Sequence, residues 1–507
     1  MKKQAKTIIV GAGSAGLAAA LYLSGRGFDV TVVEKEAAPG GKMREIEVDG
    51  AGINAGPTVF TMKWDFDELL SEIGVSLDDI VDYTKAQVLA RHAWRDGSRL
   101  DLFADVDESA NAIAAFSDQS NADGYVQFCT DAKAMFETLQ RTYIDDERPS
   151  PVQFINRIGA LNISQLLALK PFHSLWSALG TYFPDPRLQQ LFGRYATYCG
   201  SSPYFSPSTL MLVAHVEQAG VWIANGGMHG LAKAFASQAA RQGVTFRYGS
   251  GVKTINRRGD SVTGVTLENG DVLSAEHVIF NGDVSALAGG LLGAAPRGAT
   301  AIAPKDRSLS ALTWTVRAKV EDFPLAHHNV FFSDAYAQEF DLIFKSGRLP
   351  DLPTGYSCAQ DRMDGGAVKP GKGDGGEESL LLLVNAPPVG DQRNFEESEV
   401  EACLERTQIQ LAQTGLQLDL STAAQTGKAT ATTPTGFNQL FPATGGALYG
   451  PLSKGAMAAF KRQGSRTAVK GLYVAGGSVH PGSGVPMAFL SGKRAAECLV
   501  SDHALMQ

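Results

Sequence analysis

The apolar pattern opens with a short β-branched run, Thr7-Ile8-Ile9-Val10, that ends abruptly at Gly11-Ala12-Gly13-Ser14-Ala15-Gly16. An unbroken apolar run of this length predicts a strand buried on both faces. The Ala- and Leu-rich stretch behind it predicts a helix over 17–26. Asp29-Val30-Thr31-Val32-Val33 predicts a second strand, ending at Glu34. Between about residues 100 and 215 glycines thin out and helical periodicity takes over. Gly226-Gly227-Met228-His229-Gly230-Leu231 predicts the start of another helix. Strands return at 244–246 and 251–255, in a hairpin around Asn269-Gly270, and at 277–280, where an apolar run ends in the polar turn Asn281-Gly282-Asp283. Further strands are predicted at 312–316, 329–332 and 379–384. The segment 361–378, rich in Gly, Lys, Asp and Glu, reads as a mobile loop. No sustained repeat is present. The element order predicts an α/β protein with a Rossmann-like domain assembled from discontinuous segments, 1–95, 216–300 and 441–507. A helical region, 96–215, and a strand-rich mixed α+β substrate domain, 301–440, complete it.

A chain of 507 residues can bury a large core and is expected to hold more than one domain. A net charge of −8 and a pI near 5.7 argue against general nucleic-acid binding. No run of about 18 uncharged apolar residues reads as a membrane span. The five cysteines are scattered without a Cys-x-x-Cys pair, which disfavours a disulfide framework, a zinc site and a dithiol redox pair; they read as buried small hydrophobes. No metal is expected, and His327-His328 reads as a surface loop. Lys2, Lys3 and Lys6 followed by an Ala-rich stretch have the look of a signal peptide. The glycines inside that stretch and the strand after it favour a cytoplasmic protein instead.

The glycines carry the chemistry. Gly11 permits a tight turn, Gly13 lets a pyrophosphate approach the backbone, and Gly16 lets the helix pack close to the strand. The helix N-terminus at Ser14 and Ala15 favours an anion. Glu34, at the tip of the second strand with Lys35 beside it, is placed to accept hydrogen bonds from ribose hydroxyls. Two further turns, Pro39-Gly40-Gly41-Lys42-Met43 and Asn54-Ala55-Gly56-Pro57-Thr58, suit backbone amides that pass close to a flavin or its diphosphate. A second glycine motif closes the chain, Gly471-Leu472-Tyr473-Val474-Ala475-Gly476-Gly477-Ser478-Val479-His480-Pro481-Gly482-Ser483-Gly484-Val485-Pro486. Two such motifs at opposite ends predict a chain folded back so that both grip one long cofactor.

Together these motifs resemble the bacterial-type phytoene desaturases, a branch of the amine-oxidase-like flavoproteins, over nearly the whole chain. The resemblance rests on Gly11 to Gly16, Gly40-Gly41-Lys42, Gly220-Val221-Trp222 with Gly226-Gly227, and the closing motif. Met228-His229, Ala475 to Gly482, Cys358-Ala359-Gln360-Asp361-Arg362 and Leu382 to Pro387 depart from the usual phytoene-desaturase pattern. They are more similar to the subgroup acting on 1-hydroxylated acyclic carotenoids, the hydroxyneurosporene or 1-hydroxycarotenoid 3,4-desaturases.

The resemblance implies noncovalent FAD and hydride transfer to flavin from a carotenoid held in an apolar, water-poor slot. It implies Gly11, Gly13 and Gly16 on the diphosphate and Glu34 on the ribose. Lys42 is expected near phosphate, Thr58 along the flavin, and Val252 at the adenine. Gly476 and Gly477 are expected at the phosphates and ribityl chain, with Val485, Pro486 and Met487 opening a last helix, 488–500, toward the flavin ring. The proton acceptor is not identified. His229 is open between a contact to the substrate hydroxyl or flavin and a polar residue in a first helical turn. His480 is open between lining the flavin and shaping its turn. Trp222, Tyr204, Phe205 and Phe437 are candidates for a polyene tunnel or for plain core. Electrons are expected to pass to oxygen or a membrane quinone. The segment 152–183, with Phe154, Ile155, Ile158, Leu161, Leu166, Leu167, Leu175, Trp176 and Leu179 at helical spacing and Pro171 as a break, is the candidate contact to a membrane surface. The expected location is cytoplasmic, peripheral to the inner or photosynthetic membrane. Alternatives are a phytoene or neurosporene desaturase, a carotenoid isomerase, an amine-oxidase-like flavoenzyme, and a non-redox lipid-binding protein.

Overall fold

The run at the start of the chain forms strand Lys6–Val10, the centre of a five-stranded, wholly parallel sheet in the computed structural model, which describes residues 5–506 apart from 160–165, 167, 168, 171 and 371–375. The order across the sheet is Thr245–Arg247, Asp29–Val33, Lys6–Val10, His277–Phe280, Leu472–Val474, so it draws strands from three distant stretches of sequence. Both faces are buried, with the period of two that a strand imposes. Ile9, Val32 and Ile279 pack under the helices. Ile8, Val33, Val278 and Val474 pack under a three-stranded antiparallel sheet, Val252–Arg258, Ser261–Leu267 and Val272–Ser274.

The helix Ser14–Ser24 lies against the last helix, Val485–Met506, close enough that a Cβ on Gly492 would stand 2.0 Å from the Ala15 carbonyl oxygen. The first and last motifs of the chain therefore meet at the C-terminal edge of the parallel sheet, where ligands of such sheets bind.

A seven-stranded mixed sheet runs in the order Ala429–Thr432, Ser310–Lys319, Glu377–Ala386, Gly355–Ala359, His328–Phe331, Val88–Ala93, Arg99–Phe103. In its long strand Leu380, Leu382 and Val384 face a core, while Leu381, Leu383 and Asn385 face a cavity. The helices Val106–Phe116, Gln119–Leu139, Pro151–Ile158, Pro186–Gly193 and Leu212–Ala219 close the far side around Phe128, Phe183 and Phe192.

Three expectations are corrected here. The boundary expected at residue 95 cuts the hairpin Val88–Ala93 and Arg99–Phe103, which belongs to the seven-stranded sheet. His327 and His328 are buried, not a surface loop, because His328 begins a strand paired with Cys358. The segment 361–378, outside 371–375, is pinned rather than loose. Arg362 holds Glu378 through two bonds of 2.7 and 2.6 Å, the Asp361 carboxylate accepts from the Ser379 amide, and Asp364 accepts from the Gln87 and Val88 amides. Lys2, Lys3, Leu161, Leu167 and the break at Pro171 lie outside the described residues. Among the described residues no helix is long and apolar enough to cross a membrane.

Candidate functional site

The Gly11 amide donates to the Val33 carbonyl, which folds the first glycine turn over the end of the second strand. A Cβ on Gly16 would stand 2.0 Å from the Gly11 carbonyl oxygen, so only glycine allows the helix to start this close to the strand. Glu34 is buried with one carboxylate oxygen on the Ala12 amide at 2.7 Å and the other on the Glu36 amide at 3.0 Å. Its remaining lone pairs border the cleft, as a ribose ligand requires. The Gly40–Lys42 turn is laid against Gly13, and the Gly40 amide donates to the Ala12 carbonyl. The C-terminal turn closes the opposite wall. Gly477 has no neighbour nearer than 4.0 Å from where a Cβ would stand, and it lines the cleft, so a side chain there would project into it. Arg462 fixes this turn by donating to the Gly477 carbonyl at 2.6 Å and the Tyr449 carbonyl at 3.1 Å. Asn281 joins the two turns: its amide nitrogen donates to the Gly11 carbonyl, and its side chain abuts Gly476.

These elements line one cavity of about 1590 Å³, larger than the roughly 300–1,000 Å³ of a single small-ligand site. Gly11, Gly13, Glu34, Lys35, Gly41, Lys42 and Val252 line its dinucleotide end; Ser14, Ala15, Thr58, Gly476, Gly477, Val485, Pro486 and Met487 line it further in. The backbone cradle, the Glu34 carboxylate and two helix N-termini fit FAD. Lys42 donates to the Leu448 carbonyl, and burial lowers its pKa to about 8. Lys35 is more peripheral, paired with Glu36.

Past the glycine turns the cavity becomes apolar, walled by Leu381 and Leu383 from the sheet and by Leu139, Phe154, Val216 and Phe460 from helices and loops. It reaches the surface beside the helix Pro151–Ile158, where Ile155 both lines it and is 43 % exposed.

The two histidine candidates resolve differently from each other. His229 lines the cavity; its Nδ1 meets the Met43 carbonyl at 2.9 Å and its amide donates to Asn54, so it also ties a helix to the glycine turn. His480 does not line the main cavity; Nε2 donates to the Asp146 carbonyl at 2.9 Å and the ring packs on Tyr143. Of the four aromatic tunnel candidates only Phe437 lines the cavity. Trp222 packs on Phe60, Tyr204 on Trp176 and Phe205 on Phe344.

A polar cluster absent from the sequence reading stands in the apolar part. Glu217 is buried there; burial pushes its pKa up to about 7, opposed by the neighbouring Tyr195 and Tyr198 hydroxyls and Arg194. Tyr356 lies under the Arg194 guanidinium, with its hydroxyl 2.6 Å from the Thr58 hydroxyl and 2.8 Å from His328 Nδ1. Nearby, His327, His328 and Cys358 bring potential ligand atoms within 4.8 Å of one another. Here the His327 ring bonds the Arg362 carbonyl and meets the Cys358 sulfur at 3.6 Å, and burial pushes the thiol up to about 12. A neutral hydrogen-bonded cluster accounts for that arrangement.

Fold and cleft define an FAD-dependent oxidoreductase. Residues 14–500 match the family described as flavin containing amine oxidoreductase, and the chain belongs to that family. Its relatives include a hydroxyneurosporene desaturase of Rubrivivax gelatinosus, 50 % identical with 98 % of this chain and 93 % of the relative covered. Another hydroxyneurosporene desaturase, of Cereibacter sphaeroides, is 41 % identical with 98 % of each covered. An oxidoreductase from Methanosarcina mazei shares the fold at a TM-score of 0.60 and 16 % identity, over 97 % of this chain and all of that one.

Proposed function

We propose that the chain is a carotenoid desaturase that introduces a C=C bond into an acyclic 1-hydroxylated carotenoid at the 3,4 position. The observation that carries this reading is the continuity of the cavity, from a dinucleotide cradle into a long apolar slot that holds a polar cluster. A short polar amine would not use such a slot; a polyene with one hydroxylated end matches both parts. FAD, when bound, supplies the two-electron acceptor. Gly11, Gly13, Ser14 and Ala15 would hold its diphosphate, with Gly16 letting the helix start this close, Glu34 would hold its ribose, and Val252 would border the adenine. Gly476, Gly477 and Val485 to Met487 would border the flavin. The leucine walls align the chain and exclude water.

The segments 1–95, 216–300 and 441–507 act as the cofactor-holding unit, with the Val88–Phe103 hairpin lent to the substrate side. A membrane surface presents the substrate at the cavity mouth beside the helix Pro151–Ile158, on which Val152 is 67 % and Ile155 43 % exposed. Oxygen or a membrane quinone takes the electrons. Anaerobic mixing of the yellow holoprotein with vesicles carrying a 1-hydroxylated acyclic carotenoid tests the reading. It predicts loss of flavin colour with loss of two hydrogens from the carotenoid; unchanged colour and unchanged carotenoid contradict it.

A further inference from the structure

Forming a C=C bond between two saturated carbons breaks two C–H bonds. One hydrogen leaves with both bonding electrons, to the flavin; the other leaves as a proton, and its electron pair becomes the π bond. The reaction therefore needs a proton acceptor beside the reacting carbons. Resting on the desaturase reading above, we propose that Glu217 is that acceptor, with Tyr195 and Tyr198 positioning its carboxylate.

Several independent features of the cavity lead to Glu217. The other carboxylates among the described lining residues, Glu34, Glu36, Glu45, Glu47, Glu268 and Asp283, belong to the strands and turns around the cofactor cradle. Glu217 sits instead on the helix Leu212–Ala219, where Leu212, Val213 and Val216 line the apolar part beside it. An isolated carboxyl in an apolar wall is costly, and a burial role alone would be served as well by an apolar residue.

The cluster also lies next to the cofactor turns. Tyr198 is followed by Cys199, which lines the same cavity as Ser483 of the C-terminal glycine turn, and Arg194 stacks over Tyr356, whose hydroxyl meets that of Thr58. The groups facing the carboxylate are Arg194, Tyr195 and Tyr198. The two hydroxyls and the guanidinium all favour the ionised carboxylate. Burial raises its affinity for a proton over that of a free carboxylate, and Arg194 keeps part of it ionised near neutrality.

The same placement accounts for selectivity. In a 1-hydroxylated substrate the oxygen is separated from the carbon that loses the proton by two C–C bonds and one C–O bond, roughly 3–4 Å in space. A base that reaches that carbon therefore stands within hydrogen-bonding reach of the hydroxyl, which finds in Glu217 and Tyr198 the partners it needs in a dry slot. A substrate without the hydroxyl leaves those groups unpaired.

The test uses the full-length holoprotein, Glu217→Gln, Glu217→Asp and Tyr198→Phe, with a 1-hydroxylated acyclic carotenoid in phospholipid vesicles. Flavin content is read from absorbance, and kcat and KM are followed from pH 5.5 to about 9. Wild type is expected to gain kcat with rising pH through an acid limb near 7. Glu217→Gln is expected to keep its flavin, hold KM within about threefold, lose at least 100-fold in kcat and lose the acid limb. Glu217→Asp is expected to recover part of kcat with the limb restored. Tyr198→Phe, which removes a donor to the ionised form, is expected to move the limb to higher pH. Wild-type kcat and an unchanged limb in Glu217→Gln overturn the inference. If that variant loses its flavin, an unmoved limb in Tyr198→Phe overturns it instead. A wild-type protein that does not convert the hydroxylated substrate overturns the desaturase reading itself, and this inference with it.

Discussion

The Ser14 hydroxyl donates to the Val485 carbonyl at 3.1 Å, joining two residues 471 positions apart. It clips the start of the first helix to the start of the last, so two helix N-termini converge on one cleft and both favour the negative charge of a dinucleotide. Ser14→Ala removes one half-buried bond, a loss of about 1 kcal/mol. FAD affinity measured by titration of the apoprotein is expected to fall roughly fivefold.

Gly16→Ala and Gly477→Ala separate packing from cofactor space. A methyl at 16 meets the Gly11 carbonyl at 2.0 Å, and the backbone there has nowhere to move. A methyl at 477 meets nothing nearer than 4.0 Å in the protein. Gly16→Ala is expected to lower thermal stability and flavin content together. Gly477→Ala is expected to keep its circular dichroism and melting temperature as apoprotein while flavin content falls at least tenfold.

The start of this cleft was legible in the chain because local signals agree. Thr7 to Val10, the glycines and Glu34 each satisfy one physical requirement of a strand–turn–helix over a pyrophosphate, and their spacing is fixed by the backbone alone. The remainder depends on contacts between distant segments. Glu217 lies among Leu212, Val213 and Val216, and a single acid on a short helix reads as its solvent face until the tyrosines from 195 and 198 close over it. His327-His328 reads as polar and exposed because its strand partner, Gly355–Ala359, carries too short an apolar run to register. The charged segment after Asp361 reads as loose because Arg362 finds Glu378 only when the long strand is in place. Asn281 had a signal, the polar turn ending a buried strand, and its function in joining both glycine turns needed the fold.

Arg362 and Glu378 form a two-bond pair with Glu378 only 6 % exposed. Removing one partner leaves a buried charge, which costs about 3–5 kcal/mol. Arg362→Met is expected to lower stability by that amount in denaturant unfolding of the apoprotein. The double variant Arg362→Met with Glu378→Leu is expected to recover most of it.

Asp65 is buried, with one carboxylate oxygen unpartnered. Burial, with Asp145 and Glu68 adding to it against Lys493 and Arg494, pushes its pKa up to about 8. A carboxyl whose folded pKa lies above its unfolded value near 4 binds its proton more tightly in the folded state. Its contribution to stability is full below about pH 4 and is lost as pH rises through 8. Asp65→Asn is expected to flatten this fall and to raise stability at pH 8.5 by roughly 1–3 kcal/mol relative to wild type, measured by urea unfolding across pH.

Leu383 faces the apolar slot from the seven-stranded sheet. Leu383→Trp fills part of the slot without touching the cradle. Flavin content is expected to stay at the wild-type level while turnover of a long polyene falls at least tenfold, measured as product formed per flavin.

The central claim is tested most directly by a matched assay of the holoprotein with phytoene, neurosporene and 1-hydroxyneurosporene, each in the same vesicles, with products read by absorption and mass. The account predicts a red-shifted product two mass units lighter from the hydroxylated substrate, and no conversion of the other two. Conversion of phytoene, or no conversion of 1-hydroxyneurosporene, would contradict it.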